Sequence, residues 1–91
     1  MNFSRTTSYS LHVLNYMAEH ENEIISASVL HEKLNIPYSY LRVLMSRLSY
    51  NKIIKTVRGR NGGFRLNRNK SEIFLAEIIG ITENLDSLNV S

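Results

Sequence analysis

A mainly α-helical chain carrying one small β-hairpin is what this sequence predicts, and three observations predict it. Apolar residues recur at helical spacing in four separate stretches, most cleanly at Leu41, Leu44, Met45 and Leu48. The stretch Ile53-Ile54-Lys55-Thr56-Val57-Arg58 alternates instead, as a strand does. Between it and a second short apolar run lies Arg58-Gly59-Arg60-Asn61-Gly62-Gly63-Phe64-Arg65-Leu66, whose three glycines within five residues supply the backbone freedom of a tight turn.

The elements follow in order. From Ser4 to about His20, Leu11, Leu14 and Ala18 form an apolar stripe widened by Met17, with Tyr9, His12 and Tyr16 on the other side. Glu21-Asn22-Glu23 breaks that pattern, and Ile24-Ile25 suffices only for a minimal strand. Ser26 or Ser28 then caps a second helix through Val29, Leu30 and Leu34, ending near Asn35. Ile36-Pro37 is the turn into the third helix, about Tyr38 to Asn51, where proline is tolerated because the first helical N–H has no partner to lose. At about 100° per residue, Ser39, Arg42, Val43, Ser46 and Tyr50 project opposite the leucine stripe, with Tyr40 and Arg47 on one flank. Gly59 to Gly63 turns and Phe64-Arg65-Leu66 returns antiparallel. A last helix, Ile73 to Thr82, carries Leu75, Ile78, Ile79 and Thr82, weakened near its end by Gly80. Residues 1–82 therefore read as one domain and 83–91 as a short polar tail.

Composition narrows the function. With 91 residues the chain is too small for a catalytic cleft between two domains. The net charge of +3 matters less than its distribution. Lys52 to Lys70 holds seven basic residues (Lys52, Lys55, Arg58, Arg60, Arg65, Arg68, Lys70) and no acidic one. Glu19, Glu21, Glu23 and Glu32 lie in a stretch without Lys or Arg and read as a solvated acidic edge facing away from any polyanion. The absence of cysteine removes disulfides, thiolate metal sites, cysteine-held iron-sulfur clusters and thiol catalysis. His12, His20 and His31 fall in no metal-ligand spacing, and the carboxylates have no pocket to set one pKa against another, so neither metal, cofactor nor enzymatic activity is expected. No apolar run approaches a membrane span, and a cytoplasmic location is the expectation.

A helix followed at once by a basic hairpin is the layout of a winged helix-turn-helix, in which the helix enters the major groove of double-stranded DNA and the hairpin grips the flanking backbone. On that reading the helix contributes Tyr38, Ser39, Tyr40, Arg42, Val43, Ser46 and Arg47, and the wing contributes Arg58, Gly59, Arg60, Asn61, Gly62, Gly63 and Arg65. Val43 is either a contact for a thymine methyl group or a lone exposed valine. Gly59-x-x-Gly62-Gly63 is no nucleotide loop, because it leads into a strand and not a helix. The alternative is a protein-interaction module on the same scaffold, which would bind with little salt dependence.

These residues resemble the bacterial winged-helix transcription regulators of the Rrf type. The resemblance runs over almost the whole chain: Tyr9 and Ala18, Ser39-Tyr40-Leu41, Ser46-Arg47-Leu48, the wing string Val57-Arg58-Gly59-x-x-Gly62-Gly63-Phe64-x-Leu66, and Leu75-Ala76-Glu77-Ile78. It implies sequence-specific DNA binding, usually as a homodimer on a partly palindromic operator, with base contacts from Ser39, Arg42 and the wing residue Arg58. Some relatives carry an acidic residue at the position of Arg42, so arginine here would favour guanine where they favour cytosine. Sensing relatives continue into a loop with three cysteines and a long dimerisation helix, and the sequence given ends before both. The expectation is therefore a monomer or weak dimer that pairs on the operator through Leu85, Leu88 and the outer face of the first helix (Tyr9, Val13, Tyr16).

Overall fold

The computed structural model describes residues 4–88, with side chains through Glu83. Helix α1 spans Arg5–Glu19 and starts where Ser4, in extended backbone, accepts the Thr7 N–H. Its buried stripe is Thr6, Thr7, Ser10, Val13, Leu14 and Met17, whereas Leu11 and Ala18 are only half-buried. Counting apolar residues alone misplaces this face by part of a turn. The buried hydroxyls are all satisfied: Ser10 Oγ donates to the Thr6 carbonyl at 2.8 Å, Thr7 and Thr82 share a hydrogen bond at 2.6 Å, and Thr6 bonds the Tyr40 hydroxyl. Val13 is fully buried, Tyr9 packs edge-on against Tyr40 and Tyr16 stacks on His20. The expected pairing face on α1 is thus largely used up inside the fold; the side chains of Leu85 and Leu88 lie outside the described ones.

Helix α2 (Ala27–Leu34) is capped by Ser26, which accepts the Val29 N–H, and closes at Asn35 in the left-handed region with φ 56°. Helix α3 (Tyr38–Tyr50) follows after Ile36-Pro37, and His31 Nδ1 donates to the Ile36 carbonyl at 2.6 Å to fix the turn. Four side chains of α3, Leu41, Leu44, Met45 and Leu48, are wholly buried. Its far end is a Schellman motif: Ile53 N–H reaches the Leu48 carbonyl, Lys52 N–H the Ser49 carbonyl, and Lys52 takes the left-handed conformation at φ 61°.

Strands β1 (Ile54–Val57) and β2 (Gly63–Leu66) pair antiparallel in the register Ile54 with Leu66, Lys55 with Arg65, Thr56 with Phe64 and Val57 with Gly63. Ile25 adds a single bridge to Phe64, with both N–H···O bonds at 2.8 Å, so the predicted minimal strand exists as one residue. A short 3-10 turn at Lys70–Glu72 leads to α4 (Leu75–Leu88). That helix starts two residues later than the spacing predicts and continues past Thr82, so the expected boundary between domain and tail falls inside a helix. An isolated helical glycine costs only about 1 kcal/mol, and the burial of Ile78, Ile81 and Thr82 against the body on either side of Gly80 outweighs it. Among the described residues, no helix is long and apolar enough to cross a membrane.

Candidate nucleic-acid interface

The packing of α3 decides which side chains are free. With the leucine stripe buried, Ser39, Arg42, Val43 and Ser46 are exposed on the opposite face, Val43 at 57%. Tyr38, Arg42 and Ser46 line a groove between α3 and the hairpin, whose other wall is Thr56 and Phe64. Ser49 completes that groove and bonds Thr56 Oγ1 at 2.8 Å, tying the helix to the first strand. Neither Ser49 nor Thr56 was among the residues expected from sequence. Polar side chains at 42, 46 and 49 follow the helical spacing, and that row was the available signal. Tyr38 is steadied by the edge of His31, with ring centroids 5.8 Å apart.

The flank residues go elsewhere. Tyr40 turns inward to α1, where its ring meets Tyr9 and its hydroxyl meets Thr6. Arg47 is half-buried and shares a hollow with Tyr50, Asn51, Glu77 and Gly80, on the side of α4. Neither joins the groove.

At the hairpin tip Arg58, Arg60 and Asn61 are exposed. Gly59 has φ 115°, a conformation that L side chains rarely adopt, and the Gly62 N–H donates to its carbonyl at 3.0 Å. A Cβ on Gly62 would lie 2.2 Å from the Val57 carbonyl oxygen, and one on Gly63 would lie 2.6 Å from that of Ile25. The glycines are therefore dictated by close backbone approach as well as by turn geometry. Because side chains alternate across strands, Arg65 shares the face of its partner Lys55 and not that of Thr56 and Phe64, which meet α3. Two cations directly opposite one another work against pairing, so this pair adds nothing to the stability of the hairpin.

Two charge expectations need correction. Arg68 is not part of a free basic surface: its guanidinium is bidentate to Glu77, at 2.6 and 3.1 Å, and hydrogen bonding to that carboxylate raises its pKa further. It forms the one ion pair among the described residues. The acidic stretch is not wholly remote from the wing either. Glu21 lines a polar hollow together with Arg65, Asn67 and Arg68, because the Ile25 bridge folds the preceding loop back onto β2.

The body of the fold matches known proteins along nearly its whole length. Residues 3–90 fit the Rrf2 family, described as iron-dependent transcriptional regulators. The chain belongs to the Rrf2 family. Over 91 residues it is 32% identical to the HTH-type transcriptional regulator NsrR of Bacillus subtilis, covering 99% of this chain and 61% of that protein. It is 42% identical over 57 residues to the HTH-type transcriptional regulator IscR of Xenorhabdus nematophila, which is 62% of this chain and 35% of that one. Among solved structures, CymR, the global cysteine regulator of B. subtilis, superposes with a TM-score of 0.84 at 25% identity, over 91% of this chain and 65% of its own. The chain thus spans less than two thirds of each of these Rrf2-like relatives. The family is one of transcription regulators, not enzymes, and its winged helix-turn-helix is the architecture seen here. The family's iron has no fitting donor set in these residues: the chain holds no cysteine, and no three His, Asp or Glu side chains gather among the described residues.

Proposed function

We propose that this chain binds double-stranded DNA sequence-specifically and acts as a cytoplasmic transcriptional repressor. Helix α3 enters the major groove and residues 57–66 lie on the flanking backbone and in the minor groove. The observation that carries this reading is the groove that Arg42 and Ser46 of α3 form with Thr56 and Phe64 of the hairpin, with Val43 and the tip residues Arg58 and Arg60 exposed, on a fold whose relatives are named as HTH-type regulators. Arg42 suits bidentate contact to guanine, Val43 a thymine methyl, and the tip arginines phosphate and a base edge in the minor groove. One such domain makes about 6 to 10 phosphate contacts, so two copies pair on a partly palindromic operator to reach regulatory affinity.

Selection of bound duplexes from a random pool, followed by titration at two salt concentrations, tests the reading. Affinity for random duplex falls steeply with salt if DNA is the partner, and stays nearly level for a protein-interaction module. Arg58→Ala weakens the selected duplex by about 1 to 3 kcal/mol and relaxes one position, while Arg60→Ala weakens all sequences alike. Full affinity in the double variant would overturn the wing's role.

A further inference from the structure

Beyond the groove, one side chain ties the closing turn of α3 to α4. Arg68 follows β2, and its guanidinium makes four hydrogen bonds. Nε donates to the Lys52 carbonyl at 3.3 Å, Nη2 to the Asn51 carbonyl at 3.2 Å and to Glu77 Oε2 at 3.1 Å, and Nη1 to Glu77 Oε1 at 2.6 Å. Asn67 adds a second bond to the Lys52 carbonyl at 3.1 Å. Asn51 and Lys52 close α3, where the helix presents its negative end and its unpaired carbonyls. Lys52 also sits in the left-handed region, which a lysine adopts only when its surroundings hold it there.

We infer that Arg68 is a positioning residue for DNA reading, which locks the junction between α3 and β1 through Asn51 and Lys52 and is itself held in place by Glu77 on α4. The junction is where the two arms of the proposed interface meet. Ile53 and Ile54 continue straight from it into the hairpin, so a change in the Lys52 turn alters the angle between helix and wing without touching either surface. An exposed ion pair alone would matter little. Here the carboxylate serves to aim a guanidinium at two backbone carbonyls, and the planar five-donor fork is what lets one residue do both. Glu77 lies in the first turn of α4, so the placement of that helix is coupled to the helix and wing angle. The inference rests on the DNA reading above.

The test uses the 91-residue chain, its Glu77→Gln and Arg68→Ala variants, a duplex selected by the unaltered chain, and a scrambled duplex of the same composition. Glu77→Gln keeps size and one acceptor, and it stays informative if Arg68→Ala fails to fold. Amide exchange at Lys52 and Ile53 should quicken by about tenfold, with Leu14 and Leu30 unchanged. The ratio of selected to scrambled affinity should fall by about tenfold, with scrambled binding and its salt slope unaltered. An unchanged ratio would overturn the inference, as would quickened exchange spread evenly over all four amides. Failure of the unaltered chain to enrich any duplex would remove the DNA reading instead, and the exchange measurement, which needs no DNA, would still decide whether Arg68 holds the junction.

Discussion

Helix α3 and the hairpin beside it are held in opposite ways. The helix has its whole inner face sunk in the core, a proline at its entry and a Schellman motif at its exit. The hairpin has two strands of four residues, tied to the body by the buried Ile54, the Ser49 to Thr56 hydrogen bond and the Ile25 bridge to Phe64, and a tip at which Arg58, Arg60 and Asn61 are exposed. Reading base edges demands a fixed position, because hydrogen-bond geometry fails over fractions of an ångström. Gripping phosphates does not, because charge acts over several ångströms and the backbone repeats. The anchoring of each region suits the task proposed for it.

The comparison can be broken most directly at the helix. Leu44→Ala opens a cavity under α3 and should lower stability by about 2 to 5 kcal/mol in denaturant titration, with no selective effect on the hairpin. A loss well under that range would mean that α3 is not fixed by its buried face. Gly63→Ala probes the other region. Its methyl group would meet the Ile25 backbone, which cannot rotate aside, and overpacking of this kind costs about 1 to 3 kcal/mol. Amide protection at Ile25 and Phe64 should be lost while that of Leu44 and Leu48 persists; joint loss would show the two regions to be one unit. Gly80→Ala should have the smallest effect and the opposite sign. Nothing lies within 4 Å of the added methyl, and alanine at a helix interior gains about 0.5 to 1 kcal/mol. Thermal stability should rise with DNA affinity unchanged, and weakened binding would mean that α4 reaches the nucleic acid.

The sequence made α3, α2 and the hairpin legible because each carries a strong local signal: the 41, 44, 45, 48 stripe, Ser26 with Asn35, and the glycine turn. It was less informative for α1, since Thr6, Thr7 and Ser10 are buried through mutual hydrogen bonds that depend on partners far along the chain, Thr82 and Tyr40. The extent of α4 was hidden for a similar reason, its continuation past Gly80 being decided by packing and not by propensity. Within the site, exposure at Ser39, Arg42, Val43 and Ser46 followed from periodicity. The inward turn of Tyr40, the outward side of Arg65 and the commitment of Arg68 to Glu77 depend on which elements pack alongside, and no local pattern carries that.

The Ile25 to Phe64 bridge has a consequence for the order of assembly. Most pairings in this fold join neighbours in sequence, which close quickly because little chain entropy is lost in bringing them together. This bridge instead joins residues on either side of α2, α3 and β1, so it cannot form until those elements have collapsed onto one another. The seating of β2 on the body is therefore a late event, together with the docking of α4 on α1, whose Thr7 to Thr82 hydrogen bond closes a longer loop still.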